Sequence, residues 1–377
     1  MHTALALLML LQDPGASPPS PHALGRQITI PLLDWSADES RAITVDREAG
    51  QYLGHVSTVL LEDGRTILAV YPKGHGRGPI VLRRSSDGGK TWSERLPTPA
   101  SWTGSQECPS IHRVPTETGA QRLLLFSGLW PARMSSSDDG GKTWGELAAI
   151  GDWGGIVVMG SVEQVAGNGL LGMFHDDGRF IAKDGKPGER FTLYQTVSRD
   201  SGRTWEAPRA IQSDQRVHLC EPGLVRSPDG KRLAALLREN RRARNSYAIF
   251  SDDEGVTWSA PRELPAALTG DRHAARYLKD GRLFVSFRDM AHESATRGDW
   301  VAWIGTWEDL VHGREGELRV RLMDNLNGTD CAYPGVEVLP DGSVVTTTYG
   351  HWTAGEKPWI ACLRIDPSEL STPSGGR

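Results

Sequence analysis

Short runs in which apolar and polar residues alternate with a period of two recur along most of the chain, and helical spacing of apolar residues is nearly absent. Alternation at two is the pattern of strands with one buried face. Five of the runs are split by an Asx-Gly pair: Asp63-Gly64, Asn168-Gly169, Asp229-Gly230, Asp280-Gly281 and Asp341-Gly342. Such a pair between β-branched residues marks a tight hairpin, because its backbone tolerates the positive φ that the turn demands. Thr118-Gly119 is a weaker turn that fills the remaining gap. Six hairpins at intervals of roughly 56 residues predict six units of about four strands each.

A second periodicity runs in step with the first. The pattern S-x-D-x-G-x-T-W occurs at Ser85–Trp92, Ser137–Trp144, Ser198–Trp205 and Ser251–Trp258. In this motif the Asp can bond back to turn amides, the Gly supplies a left-handed backbone angle, and the Trp packs between adjoining sheets. The fifth unit keeps only Gly305-Thr306-Trp307, and the sixth ends in a strand at residues 359–365. Together these features predict an all-β, six-bladed β-propeller with four-stranded antiparallel blades over residues 26–366. Residues 27–45 are expected to supply outer strands that close the ring against blade six.

The ends read differently. Residues 4–11 form an apolar run too short to span a bilayer but long enough for the core of a secretory signal, so residues 1–22 are expected to be a signal or unstructured. That would make the protein secreted or periplasmic. Residues 367–377 read as a disordered tail.

Composition narrows the function. The 377 residues include 43 Gly and 13 Trp, in keeping with many tight turns packed by large side chains, and the net charge is −5. A pI near 6.1 argues against a general nucleic-acid binder, and a mean hydropathy of −0.39 argues against a membrane-embedded chain. Cys108, Cys220, Cys331 and Cys362 lack metal-ligand spacing and are expected to be mostly buried thiols, with at most one bridge. No phosphate-cradling glycine loop or metal cluster is present, so no cofactor is expected.

In a four-stranded blade the 1–2 and 3–4 turns share one face of the disc. Here these are the uniform Asx-Gly pairs and the S-x-D-x-G-x-T-W motifs. The opposite face receives the starts of strand 1 and the ends of strand 2, where the residues are varied and polar. Strand-1 starts bring His55, Glu107, Glu221, Arg272-His273, and Asp330 with Tyr333. Strand-2 ends bring Lys73 and His75, Arg133, His175-Asp176-Asp177, Arg238 and Asn240, Arg288-Asp289, and Tyr349 with His351. Function is expected in a central mouth on this face. Arginines bind carboxylates in a planar, two-point manner, so an acidic sugar is the natural ligand. Glu221 and Tyr333 could meet across the mouth, where the carboxylate would accept the phenol proton.

These residues resemble the sialidase (neuraminidase) superfamily, whose Asp boxes are similar to the four repeated motifs. Glu221-Pro222-Gly223-Leu224-Val225-Arg226, running on to Leu236-Leu237-Arg238, resembles the blade carrying that family's catalytic Glu and a substrate Arg. Tyr333-Pro334-Gly335-Val336-Glu337-Val338, ending in Tyr349, resembles the blade with its nucleophilic Tyr. The resemblance implies Tyr333 as nucleophile, Glu221 as its base, and Arg238 as a carboxylate ligand. It also implies a second arginine at Arg288, or else at Arg297. Two departures stand out. His55 occupies the place of the family's first arginine, and residues 71–78 contain no carboxylate where its acid/base Asp would lie. Asp176 is ranked first as a replacement acid, with His75, Asp177 and Glu107 as alternatives. Lys73, Arg133, His175 and His273 complete the candidate substrate contacts. The implied activity is removal of a terminal sialic acid or related acidic sugar from glycans. The alternatives are a non-catalytic carbohydrate-binding propeller, or a hydrolase or lyase for another acidic sugar, including an inverting hydrolase that uses a water.

Overall fold

A computed structural model describes residues 26–371 apart from 168, 182–185 and 215. Six antiparallel sheets stand around an axis, and the inner strand of each contacts the next until blade six meets blade one. Blade one is Ser57–Leu60, Ile67–Pro72 and Ile80–Ser85. Its fourth segment is irregular, held by Ser93 N–H to Arg84 O at 2.8 Å and Leu96 N–H to Leu82 O at 2.9 Å. Blades two to four run in sequence from inner strands Ser110–Pro115, Ile156–Val165 and Leu219–Arg226. The inner strands of blades five and six are Gly270–Tyr277 and Gly335–Val338.

The segment expected to close the ring divides between two blades. Ile43–Asp46 pairs antiparallel with Trp359–Ile365 and supplies the outer strand of blade six. Leu32–Asp34 instead pairs parallel with Leu318–Met323 and adds a fifth strand to blade five. The chain therefore crosses the last blade boundary from outside, tying blades five and six together.

In all four copies of the repeated motif the Asp carboxylate accepts both the amide and the hydroxyl of the Thr four positions on. Asp139 Oδ1 accepts the Lys142 and Thr143 amides at 3.0 and 2.9 Å, and Oδ2 accepts the Thr143 hydroxyl at 2.6 Å. The second glycine of the turn then lies flat on the preceding blade. Gly141 has φ +77°, and a Cβ there would sit 2.5 Å from Leu68 Cδ1 of blade one. Gly255 meets Leu171 of blade three in the same way, and Gly89 meets Val345 of blade six. Each motif Trp packs into the apolar cluster at that boundary: Trp92 between blades six and one, Trp144 between one and two, Trp205 between two and three, Trp258 between three and four. The motif is thus both a turn and the wedge between blades.

Blade five has replaced the motif by the helix Trp307–His312, the one α-helix among the described residues. Thr306 caps it in a capping box with Asp309, and Gly313 ends it in the left-handed region. Trp307 still packs at the boundary with blade four.

Two other expectations change. In blade three the positive φ falls on Gly167, while Gly169 opens the strand Gly169–Asp176 and Asn168 lies outside the described residues. The tail expected to be disordered begins with the 3-10 turn Pro367–Glu369, capped by Asp366, and Leu370 is buried between blades five and six. The signal expected over residues 1–22 lies outside the described residues. All four cysteines are buried free thiols.

Candidate active site

The inner strands open with a shared distortion. His55, Val157, Glu221, Arg272 and Ala332 have φ between +52° and +57°, one residue at the head of the inner strand in five of the six blades. A left-handed backbone at a residue with a Cβ costs about 1–2 kcal/mol, so the surrounding packing must hold it there. In blades four and five the register slips by one residue at this point, between Cys220 and Gly223 and between Asp271 and Ala274. Such bulges swing a side chain out of the alternation. Here they place Glu221, Asp271 and Arg272 at the mouth, and the left-handed turn at His55 brings that side chain there from blade one.

Tyr333 and Glu221 meet there. The Tyr333 hydroxyl donates to Glu221 Oε1 at 2.5 Å, and Arg238 Nη1 donates to the same oxygen at 2.7 Å. Arg272 and Arg288 lie against the Tyr333 ring, their guanidinium carbons 5.5 and 5.6 Å from its centroid. Burial pushes Glu221 up, but Arg238, the hydrogen bond from Tyr333 and Arg288 outweigh it and hold the carboxyl below its ordinary value. Burial and then Glu221 push the Tyr333 phenol well above 10, so Tyr333 is a neutral phenol with an ionised acceptor. Glu221 Oε2 is buried and accepts nothing among the described residues.

Asp271 is the residue that sequence reasoning missed. It is fully buried and accepts from Arg288 Nε at 2.8 Å and from Arg242 Nη1 and Nη2 at 2.5 and 2.7 Å; Arg238 Nε lies 3.4 Å away. Burial raises its pKa, and Arg288, Arg238 and Arg242 more than reverse the effect. Four guanidinium groups, Arg238, Arg242, Arg272 and Arg288, therefore surround two carboxylates, and the mouth keeps net positive charge. The available signal for Asp271 was its place at the head of a bulged inner strand, directly before Arg272.

On the blade-one side the mouth is aromatic. The His55 ring meets Tyr333 edge-on at 4.6 Å, stacks on Tyr349 at 4.8 Å and touches the His75 ring at 4.9 Å. Burial, then the nearby cationic groups, hold His55 well below 6.5, so the side chain standing in place of an arginine is neutral. Gly76 N–H donates to its Nδ1, so the proton resides on Nε2, facing the Tyr349 hydroxyl at 3.4 Å. Tyr349 and Tyr52 both donate to Asp330, at 3.1 and 2.8 Å.

Several predicted residues are engaged elsewhere. Asp176 turns into its own loop, where its carboxylate accepts the amides of Arg179, Phe180 and Ile181; it is a loop cap and not an acid for the mouth. Asp177 holds Arg179 at 2.7 Å. Arg297 donates to the carbonyls of Met290 and Ala291, so of the two candidates Arg288 is the one beside Tyr333. Lys73 is paired with Glu48, and Arg133, which opens the third strand of blade two, with the carbonyls of Gly104 and Gly128. His273 is a core histidine, bonded to Leu268 O and stacked on Phe287, with burial holding it at about 4.

Two candidates line the wall behind the site. His175 Nδ1 accepts the Glu221 amide at 3.4 Å and so supports the bulge that carries Glu221; burial holds it at about 3. Glu107 is buried and accepts Val157 N–H at 2.6 Å, with burial pushing it up to about 7. Among the described residues no group of His, Cys, Asp and Glu is arranged to hold a metal ion. No helix there is long and apolar enough to cross a membrane.

Known proteins show the same architecture. A protein of unknown function from Dyadobacter fermentans is 18% identical over 86% of this chain and 98% of its own, with a TM-score of 0.68. The intramolecular trans-sialidase of Ruminococcus gnavus is 15% identical over 85% and 96%, with a TM-score of 0.60. A Hadza microbial sialidase is 17% identical over 87% and 69%, with a TM-score of 0.63. At such identities the likeness is one of fold, a sialidase-like propeller. No curated protein matches the chain. The BNR repeat-like domain family matches residues 113–346, more than half the length, from blade two into blade six. With that match and the repeated Asp turn in four of its six blades, this chain belongs to the BNR repeat-like domain family.

Proposed function

We propose that the protein is an exo-acting glycoside hydrolase that removes a terminal sialic acid or a related acidic sugar from a glycan. The observation that carries this reading is the 2.5 Å hydrogen bond from the Tyr333 hydroxyl to Glu221 inside a ring of arginines. A phenol with a raised pKa is a poor nucleophile until a base takes its proton. Glu221 is the ionised base in contact. As the Tyr333 oxygen bonds to the anomeric carbon, the glycosidic bond breaks and the phenol proton passes to Glu221. Water then displaces Tyr333, and Glu221 returns the proton. A neutral phenol suits an anomeric carbon that bears a carboxylate, because it approaches without the repulsion a carboxylate nucleophile would meet. Arg238 and Arg288 are placed to receive the sugar carboxylate, since each retains N–H donors beyond those that Glu221 and Asp271 use.

The test is release of free sugar from a fluorogenic sialoside and from a panel of other acidic glycosides, with Tyr333→Phe as control. Loss of turnover by roughly 100-fold or more in that variant is expected; full activity would remove Tyr333 from the chemistry. The neutral His55 in place of an arginine favours a second reading, a carbohydrate-binding propeller without turnover. Calorimetry with an intact acidic glycan would then show saturable binding and no product.

A further inference from the structure

Breaking a glycosidic bond requires a proton for the departing oxygen, and the Tyr333–Glu221 pair cannot supply it, because that proton is spent on the nucleophile. Asp176 is turned away and Glu107 is sealed in the wall. One titratable side chain next to the aromatic side of the mouth is both open and held in place. His75 has 66% of its side chain exposed, and its ring touches His55, which touches Tyr333.

Its loop is built to present it. The loop after Ile67–Pro72 closes through Lys73 N–H to Pro79 O at 2.9 Å and Gly78 N–H to Ser105 O at 3.3 Å. Gly74 and Gly78 have φ of +154° and +125°, and a Cβ at either would collide with the opposite backbone. The tip is tied down where Gly76 N–H donates to His55 Nδ1 at 3.2 Å. The ring itself sits edge-on against Tyr52 at 5.1 Å.

The hydrogen bonds also assign its protons. The Tyr52 hydroxyl has one proton, and it goes to Asp330, which accepts at 2.8 Å. The 2.8 Å contact between His75 Nδ1 and the Tyr52 oxygen must then be donated by the ring. Nδ1 is thereby committed, and Nε2 carries the exchangeable proton. The Asp330 carboxylate lies 3.8 Å from Nδ1 and anchors the Tyr52 hydroxyl that receives it. The other groups around the cluster are the neutral His55, the Tyr349 hydroxyl, and His351, whose Nε2 lies 3.4 Å from Asp330 while its Nδ1 donates to Glu356 O. Lys73 is turned to Glu48.

We propose that His75 is the proton donor to the leaving group, with Tyr52 and Asp330 positioning it, in place of the carboxylate that blade one lacks. This rests on the glycosidase reading above. In the first step the C–O bond to the leaving group breaks, its electron pair stays on oxygen, and that oxygen takes the His75 Nε2 proton. In the second, the now neutral ring takes a proton from the attacking water as the bond to Tyr333 breaks, and the donor is restored.

The experiment compares two glycosides of one acidic sugar, one with a 4-nitrophenyl leaving group that departs without protonation and one with a sugar leaving group that needs it. His75→Gln is expected to lower kcat/KM on the sugar-linked substrate by about 100-fold or more and on the nitrophenyl substrate by less than about 5-fold. The variant should also lose the alkaline limb of the pH profile, which deprotonation of the donor sets. Asp330→Asn should lower kcat/KM on the sugar-linked substrate more than on the nitrophenyl substrate, because the Tyr52 anchor that orients the ring is released. Equal losses on both substrates, or an unchanged profile in His75→Gln with unaltered thermal stability, overturn the assignment. A wild-type protein inactive on both glycosides overturns the glycosidase reading itself, and with it the need for any donor.

Discussion

Asp271 and Arg288 form a buried ion pair in which the guanidinium Nε and Nη2 both donate to the one oxygen Oδ2. Arg242 fills the remaining capacity of that carboxylate, and Arg238 stands at its edge. One aspartate thus positions three arginines, Arg238 and Arg242 from the end of the strand Leu233–Glu239 and the turn after it, and Arg288 from the strand Leu283–Asp289. Removing one partner of a buried charge cluster leaves the others desolvated and unbalanced. Asp271→Asn is expected to cost about 3–5 kcal/mol in urea unfolding. A loss below about 1 kcal/mol would mean that water reaches and screens the cluster.

Arg238 sets the charge state of Glu221. Burial alone would raise that carboxyl, and the arginine at 2.7 Å is the largest opposing influence. In the wild type the acid limb of kcat/KM, which reports protonation of the base, should lie below pH 4.5. Arg238→Met should move that limb upward, because the burial effect remains and the cation is gone. An unmoved limb in the pH–rate profile would assign the base to another group.

Glu107 makes folding depend on pH near neutrality. Its carboxyl is raised from 4.5 to about 7, chiefly by burial. Between those values the folded protein binds the proton and the unfolded chain does not, so stability is lost as pH rises through the window. The shift corresponds to about 3 kcal/mol by linkage. Glu107→Gln should flatten this fall in unfolding free energy between pH 5 and pH 8.

The buried histidines act in the other direction. Burial lowers His112 and His273 to about 4 and His175 to about 3. Below 6.5 the unfolded chain gains protons that the folded state excludes, so stability falls as pH drops from 6.5 toward 4. Thermal unfolding midpoints should therefore rise from about pH 4 to about pH 6.5, because three histidines outweigh the opposing effect of the single Glu107. A midpoint that stays level down to pH 4 would show these histidines to be accessible to protons without unfolding.

Gly141 tests the wedge between blades. Its φ of +77° disfavours a side chain, and a Cβ there would lie 2.5 Å from Leu68. Gly141→Ala should cost about 1–3 kcal/mol. Gly119→Ala, also at positive φ but with nothing within 4 Å of a Cβ, isolates the backbone part of that cost. Equal losses in the two variants would show that the contact with blade one contributes nothing.

The repeats were readable because everything that makes them lies within a few residues. Asp87, Asp139, Asp200 and Asp253 bond to amides up to four positions ahead, and the Asx-Gly turns need only their own backbone angles. Once the turn faces alternate, the face that receives Glu221, Arg238, Arg288 and Tyr333 follows. Where each side chain points did not follow. Asp176 and Arg297 looked like mouth residues by position, yet both end on backbone groups of their own loops, an option that always competes with distant partners. The parallel edge strand Leu32–Asp34 was hidden for a related reason: three residues carry too little pattern to choose a partner, and packing against blade five decides it.

The amino-acid order by itself determined the number of blades, their turns and which rim is varied, since these are short-range consequences of alternation and turn chemistry. Only the folded ring decided the charge and proton positions at the mouth: Asp271 under three arginines, a neutral His55, and His75 linked through Tyr52 to Asp330. Those depend on burial and on contacts between segments up to about three hundred residues apart, and neither quantity exists until the sheets close around the axis.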